Sequence, residues 1–296
     1  MYDWRCPGCD TPEHEAEQIS DYEIVVVREG SFVREVDGAP SFAHEGVLTL
    51  AAPGEEHRIR HPAPGGDACT VFRASEDTMR EILAERDPGA ADAMRPLVPP
   101  TQVPLGGRET LLHRLAFAAA RRGTEPVETE ESALWFVHAA LGRAFAPGSS
   151  GPRVPAMTPR TARAWAAAVE YTARVLHVVS TRYHEKLSLA RIGRAVHCSP
   201  FHVSRLVTSV TGVPIHRLLV RHRLRRALDR VLDSEGSLSE IAFATGFSSH
   251  SHLTDTFRRE LGVAPQQVRR LPGRAVRTLV ARAAEQPTRR ARSLPT

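Results

Sequence analysis

"CSPFHVSRLVTSVTG", residues Cys198 to Gly212, carries strong local signals for a helix in the second half of the chain. Its Ser-Pro pair is typical of a helix start, because a serine hydroxyl accepts an orphan backbone N–H and proline needs no donor at the first helical position. Apolar residues then recur at the spacing of an amphipathic helix: Val203, Leu206, Val207 and Val210. The opposite face presents an aromatic ring and a guanidinium to solvent, which indicates a surface built to contact a partner.

A shorter helical segment precedes this stretch, and the two together predict a helix-turn-helix. The segment "LSLARIGRAVH" can be capped by Ser188 and ends in a tight turn at His197-Cys198. The same arrangement recurs in "SLSEIAFATGFSSHSHLTDTFRRELG", which opens with a capping box of Ser237 and Glu240. The sequence therefore predicts two helix-turn-helix units.

The segment between the two units, "PIHRLLVRHRLRRALDRVLDS", is Arg-rich and helical in pattern. A helix of that length is about 30 Å long. It matches the separation of successive major grooves of DNA, which repeat every ~34 Å. His216 and His222 are expected on the surface of this spacer helix, and Phe243, Phe247 and Phe257 in the core of the second unit.

Residues 160–270 resemble the DNA-binding domain of the AraC family of transcription regulators. The order I-A…GF-S…F-R-R-E-x-G-x-x-P in the second unit carries the resemblance. The resemblance implies an all-α double helix-turn-helix domain over 159–271, double-stranded DNA as the partner, and the second helix of each unit in a major groove.

Matching positions then give the expected DNA-contacting residues. In the first unit they are Phe201, Ser204, Arg205 and Thr208; in the second they are His250, Ser251, Thr254, Asp255 and Arg258. Arg205 can fork onto a guanine and Phe201 can pack on a thymine methyl, whereas Asp255 can accept from cytosine N4 but is repelled by phosphate. Further arginines are expected as phosphate contacts or helix-surface charges: Arg221, Arg225 and Arg259.

Charge divides the chain into two unequal halves. Residues 1–152 carry 14 Lys+Arg and 25 Asp+Glu, a net of −11, whereas residues 153–296 carry 25 and 9, a net of +16. Such an asymmetry favours a polyanionic partner for the second half, although a basic face can also be solvated without a partner.

The first half has the pattern of a small antiparallel β-structure. "YEIVVVREGSFVREVDGAPSF" predicts two strands separated at Gly30 and a hairpin turn at Asp37-Gly38, and short strands follow in "GVLTL", "HRIRH" and "CTVFR". Helices are expected at 108–122 and 128–146, and a long helix over 159–184. Together these patterns predict an α+β multidomain protein.

The AraC resemblance implies a cupin-like β-barrel sensor at 1–100 and a helical dimerisation segment at 101–147. The stretch 148–158 is expected to be a linker, because it is rich in Gly, Pro and Ser, and 272–296 a basic disordered tail. A homodimer is then expected, with a small-molecule effector and RNA polymerase as further partners. "APGEEH" resembles one cupin half-motif, but the His pair of the other half-motif has no match, so a catalytic barrel is not expected.

Cysteines near the start of the chain form a candidate metal site. Cys6 and Cys9 form a Cys-x-x-Cys pair, and Cys69 could complete a site for zinc or another soft metal. A thiol redox switch and the absence of any role remain alternatives. Cys198 is expected to be a small, buried apolar residue.

Several protein classes are disfavoured by composition. No apolar run reaches the length of a membrane span, and no secretory signal pattern is present, so a cytoplasmic regulator without enzymatic activity is expected. Two alternatives stay open: a metal-dependent cupin enzyme with an accessory helical domain, and a protein-interaction module that binds an acidic partner.

Overall fold

A computed structural model describes residues 1–6, 16–84, 102–146, 158–234, 236–270 and 274–278. The N-terminal part is built on an antiparallel sheet whose strands differ in length. Its strands are β1 (Tyr2–Cys6), β2 (Glu17–Gln18), β3 (Tyr22–Val36), β4 (Ala39–His44), β5 (Val47–Ala51), β6 (Glu56–Arg60), β7 (Asp67–Ala74) and β8 (Gln102–Pro104).

Helices make up most of the remaining chain. They are α1 (Glu76–Ala84), α2 (Gly107–Arg122), α3 (Pro126–Ala144), α4 (Pro159–Arg182), α5 (Leu189–Ala195), α6 (Pro200–Thr211), α7 (Ile215–Leu232), α8 (Leu238–Ala244), α9 (His250–Leu261) and α10 (Pro265–Arg270). Within the described ranges, none of these helices has the length and apolar character needed to cross a bilayer.

Strand β3 is the long central strand of the sheet, and it bends. Its first half pairs with β5 and β7, whereas its second half pairs with β4 and β6. The register shifts between Val27 and Glu29, and Gly30 follows with φ +74°. A Cβ at Gly30 would collide with the carbonyl of Gly66, so the bend requires glycine at this position.

The predicted barrel is not closed. The strands run in the order β1-β7-β3-β5-β8, with β4 and β6 attached to the second half of β3. In the part of the chain that the structure describes, the end strands β1 and β8 do not pair with each other, so the sheet is an open, strongly bent one. Strand β8 also lies inside the segment that the sequence assigns to helices alone.

One hydrophobic core joins the N-terminal sheet to the second helical unit. Ile24 and Leu50 of the sheet, Phe136 of α3, Leu228 of α7 and Phe257 of α9 belong to the same cluster of buried side chains. The first unit has a separate core between α4, α5, α6 and the start of α7. The two ends of the chain are therefore packed together rather than only tethered by a linker.

Two further segments bear on the predicted division of the chain. The predicted linker at 148–158 lies outside the described residues, except for Thr158, which caps α4. Residues 274–278 are helical, Val276 is fully buried, and Arg277 pairs with Glu131 at 2.8 Å. This part of the predicted disordered tail is therefore ordered, because its apolar and charged groups pack on α3.

Candidate nucleic-acid interface

Helix α6 is fixed in place by its caps and by its buried side. The Ser199 hydroxyl accepts a hydrogen bond from the His202 N–H at 3.2 Å, and Pro200 occupies the first helical position. Gly212 ends the helix with φ +69°, a left-handed conformation that glycine adopts without steric cost. Val203 and Val207 are buried, so the orientation of the opposite face is set by the core.

The exposed face of α6 carries the residues that the sequence singles out. Phe201 is 71% exposed, Arg205 and Thr208 are exposed, and Ser204 is partly exposed. The Arg205 guanidinium lies over the Phe201 ring, 5.6 Å from its centroid. This cation–π contact places an aromatic ring and a guanidinium side by side on the exposed face of α6.

Helix α9 repeats the construction of α6. The Ser249 hydroxyl accepts from the His252 N–H at 3.1 Å, Gly262 ends the helix with φ +78°, and Leu253 and Phe257 are fully buried. The predicted contact residues lie on its other side: His250, Ser251, Asp255 and Arg258 are exposed, and Thr254 is partly exposed. The structure thus places both sets of predicted contact residues on outward faces.

The caps and buried positions align the two helices residue by residue. Ser199 corresponds to Ser249 and Val203 to Leu253, which makes Arg205 the counterpart of Asp255. One helix therefore presents a cation at the position where the other presents an anion. The two exposed faces therefore differ in charge at this position.

Helix α7 connects the two units and, with 18 residues, is about 27 Å long. Arg223 in its middle donates to the carbonyls of Tyr183 and Glu185, each at 2.7 Å, at the end of α4. The turn of the second unit at Gly246 packs against this same junction. Arg223 and Gly246 therefore help to hold the two units in one relative orientation.

Comparison with known proteins identifies this region. The family model described as "Helix-turn-helix domain" matches residues 192–271. Residues 192–271 form a helix-turn-helix domain. The matched range begins within α5, contains α6, α7, α8 and α9, and ends just after α10.

Two named relatives extend the comparison. The HTH-type transcriptional regulator GlxA of Rhizobium meliloti is 30% identical over 170 residues, which are 57% of this chain and 48% of GlxA. The HTH-type transcriptional activator RhaS of Escherichia fergusonii is 31% identical over 100 residues, which are 33% of this chain and 36% of RhaS. The chain spans less than half the length of either relative. Both relatives are transcription regulators by name.

Solved structures also align with the chain. An AraC-type DNA-binding domain-containing protein from Chromobacterium violaceum is 23% identical and covers 41% of this chain and 99% of its own, with a TM-score of 0.33. ToxT from Vibrio cholerae is 12% identical and covers 94% of this chain and 96% of its own, with a TM-score of 0.34.

Some residues of the helix-turn-helix domain do not lie where the sequence predicts them. Phe243 is 62% exposed on α8, although it is expected in the core, because Ile241 and Ala242 supply the buried side of that short helix. His222 is only 2% exposed, although it is expected on the surface of α7, and Arg225 is 8% exposed. Arg225 is therefore not available to a phosphate in this arrangement.

The partner of these two α7 residues is Glu45, in the turn between β4 and β5. One carboxylate oxygen accepts from Arg225 Nε at 2.8 Å, and the other contacts His222 Nδ1. Burial alone would raise the pKa of Glu45, but Arg225 and His222 outweigh burial and hold this pKa well below its usual range. Glu45 is therefore charged and fastens the sheet to the domain.

Two more ion pairs lie along the same side of α7. Arg226 donates to Glu29 at 3.0 Å, and Asp229 pairs with Arg114 of α2 at 3.4 Å. Part of the charge asymmetry between the halves of the chain is thus satisfied within the molecule. In the sequence, only the charge asymmetry pointed to these ion pairs, because no local motif marks Glu29 or Glu45.

The cysteines of the predicted metal site are only partly described. Cys6 and Cys69 are buried in neighbouring strands, β1 and β7. Cys9 lies outside the described residues. Cys198, at the turn of the first unit, is half-buried and free of any disulfide, so it is less buried than expected.

Proposed function

We propose that the protein is a transcription regulator of the AraC family that binds double-stranded DNA through α6 and α9 in successive major grooves. The observation that carries the proposal is the construction of these two helices. Each has a serine cap, a left-handed glycine end and a buried apolar side, and each leaves an outward face that carries polar and charged side chains. The similarity of residues 192–271 to the helix-turn-helix family supports the same conclusion.

Specificity follows from the different chemistry of the two faces. Arg205 can donate both N–H groups to the O6 and N7 of a guanine, and the Phe201 ring beside it can contact a thymine methyl. Asp255 can accept from cytosine N4, while the exposed Arg258 on the same helix can balance its repulsion from the phosphates. The two half-sites therefore differ in sequence.

DNA binding is tested by fluorescence anisotropy on genomic fragments that the purified protein retains. If the faces neutralise six to ten phosphates, affinity falls by about 10³–10⁵ between 50 and 200 mM salt. A flat salt response, with equal affinity for a scrambled fragment, would contradict the proposal. Retention of an acidic protein instead of DNA would favour the interaction-module alternative.

We further propose that the N-terminal region is the sensor and binds a small-molecule effector. A cavity of about 260 Å³ lies between the two halves of the bent sheet, with Phe32, Arg34, Thr49 and His57 among its lining residues. His57 is 9% exposed, and its Nδ1 has no hydrogen-bond partner among the described residues. A ligand with a matching polar group would satisfy this nitrogen.

The packing suggests how such a ligand would act on the DNA-binding domain. Glu29 and Glu45 hold α7, and α7 carries both helix-turn-helix units, so a shift of the sheet changes the population of DNA-competent orientations.

Dimerisation is proposed through α3, where Val127 and Leu134, one heptad apart, are 75% and 53% exposed. A monomeric Leu134→Glu variant beside a dimeric wild type in light scattering would support this interface. Unchanged mass would contradict it.

A further inference from the structure

A cluster of metal-ligating side chains lies on one wall of the sheet cavity. The donor atoms of Cys6, His61 and Asp67 all lie within 4.8 Å of one another. His61 Nε2 is 2.5 Å from one Asp67 oxygen, and the Cys69 thiol donates to the other at 3.0 Å. Asp67 is therefore the centre of a four-residue group that combines sulfur, nitrogen and oxygen.

Backbone pairing brings these residues together from distant parts of the sequence. Cys6 of β1 is directly opposite Asp67 of β7, so both side chains lie on one face of the sheet. Cys69 is two residues after Asp67 and shares that face. His61 directly follows β6. The loop after it ends at Gly65 and Gly66, both in left-handed conformations, and leads into β7 at Asp67.

All four groups are shielded from solvent. The residue exposures of Cys6, Asp67 and Cys69 are 8%, 7% and 1%, and the His61 side chain is 7% exposed. The contacts of Asp67 with His61 and with the Cys69 thiol hold this group together inside the sheet.

We propose that Cys6, His61 and Asp67 bind one thiophilic divalent cation, with Zn²⁺ as the preferred ion, and that the Cys69 thiol supports the site through its hydrogen bond to Asp67. A thiolate, an imidazole and a carboxylate are donors that Zn²⁺ takes in tetrahedral sites with a fourth position open, and sulfur disfavours Mg²⁺ and Ca²⁺. His61 and Asp67 replace Cys9 and Cys69 as donors in the set that the cysteine spacing predicts. The site stands on the geometry of the sheet and does not depend on DNA binding.

Titration of the full-length reduced protein with Zn²⁺ and with Co²⁺ tests this site. We expect one equivalent of either ion to bind, and the Co²⁺ form to show a sulfur-to-cobalt charge-transfer band together with the strong visible bands of tetrahedral cobalt. Cys6→Ser and Asp67→Asn should each weaken Zn²⁺ binding by about 100-fold or more, beyond the range for loss of an outer-shell partner. Cys198→Ser, which removes a thiol of the helix-turn-helix domain, is the matched control and should bind as wild type does.

The variants also distinguish this donor set from others. Loss of binding in Cys9→Ser with retention in Asp67→Asn would overturn the proposal in favour of a Cys-x-x-Cys site. A disulfide between Cys6 and Cys69 in the protein as isolated, detected by thiol counting, would overturn it as well, as would a titration without saturable cobalt bands. Thermal unfolding of the metal-free variants shows that they are folded, and the DNA anisotropy assay, which uses no metal, reports separately on the proposed function.

Discussion

Under the proposed function, Arg205 is the residue of α6 that we expect to contribute most to base specificity. Its guanidinium is exposed and lies over the Phe201 ring, while its counterpart in the second unit is the anion Asp255. A planar fork of donors oriented in advance loses little entropy when it binds a guanine edge. We therefore expect the two faces to contribute differently to DNA binding, even though their backbones repeat.

Arg205→Ala should weaken DNA binding by about 1–3 kcal/mol and relax the preference at one base position. Anisotropy against a panel of single-base operator variants measures both effects. Arg163→Ala is the matched control, because Arg163 is also exposed and basic but lies at the start of α4. Equal losses in the two variants, with an unchanged base preference, would show that Arg205 contributes charge only.

Gly246 is the second residue with a defined physical task. It has φ +81°, and a Cβ there would lie 2.6 Å from the Tyr183 carbonyl oxygen and 2.8 Å from Arg223 Nε. Gly212 is left-handed as well, with φ +69°, but a Cβ there would meet no atom within 4 Å. A comparison of the two glycines therefore distinguishes the cost of a left-handed backbone from the cost of a steric collision.

Gly246→Ala should destabilise the protein more than Gly212→Ala does. Both variants incur the left-handed penalty of about 1–2 kcal/mol, and only Gly246→Ala also displaces the α4–α7 junction. Urea unfolding gives the difference, and DNA affinity should fall in Gly246→Ala alone. Equal unfolding free energies would mean that the α4–α7 junction accommodates the added methyl group without loss of stability.

Among the secondary-structure elements, the helices of the DNA-binding region were the most predictable. Their caps and apolar stripes are local signals, and Ser199, Ser237 and the buried Val203 and Phe257 act as the sequence indicates. The positions of β8 and of the helix at 274–278 were missed, because both depend on partners distant in sequence. Phe243 was misplaced because a seven-residue helix has too few positions to define its buried side.

Helix α7 shows the limit of local patterns most clearly. Its arginines predict a polyanion surface, yet Arg225, Arg226 and His222 contact carboxylates of the N-terminal sheet. The carboxylates stand in turns and strands with no motif of their own. Only the three-dimensional arrangement distinguishes an arginine that can reach DNA from one that holds two parts of the chain together.

Glu45→Ala tests this attachment between the parts. Removing Glu45 leaves Arg225 and His222 buried without their common partner, so the free energy of unfolding should fall by about 3–5 kcal/mol. Glu56→Ala, which removes an exposed carboxylate of the same sheet, should change it little. Hydrogen exchange should also show faster opening of α7 in Glu45→Ala. Similar stability of the two variants would show that Glu45 does not stabilise the contact between the sheet and α7.

The molecule as a whole should lose stability in mild acid through its buried imidazoles. Burial lowers the pKa of His44 to about 4, and burial together with Arg114 and Arg28 lowers that of His113 well below its usual range. In the unfolded chain both rings take up protons near pH 6.5. Stability is therefore fully present above about pH 6.5 and falls as the pH drops toward 4, by up to about 1.4 kcal/mol per pH unit for each ring.

Unfolding by urea at several pH values between 7.5 and 5 measures this slope. His113→Leu isolates one contribution, because His113 sits among aromatic rings and its Nε2 has no hydrogen-bond partner in the described part of the chain. The variant should show a shallower loss of stability with falling pH than the wild type. Parallel slopes would mean that His113 is not the group that titrates on unfolding.

Binding of one DNA segment by both helix-turn-helix units is tested most directly by guanine N7 methylation protection on a retained operator. We expect two protected major-groove patches about one helical turn apart. Arg205→Ala should remove protection in one patch and Arg258→Ala should weaken the other. A single protected patch, or loss of the same patch in both variants, would contradict binding in successive grooves.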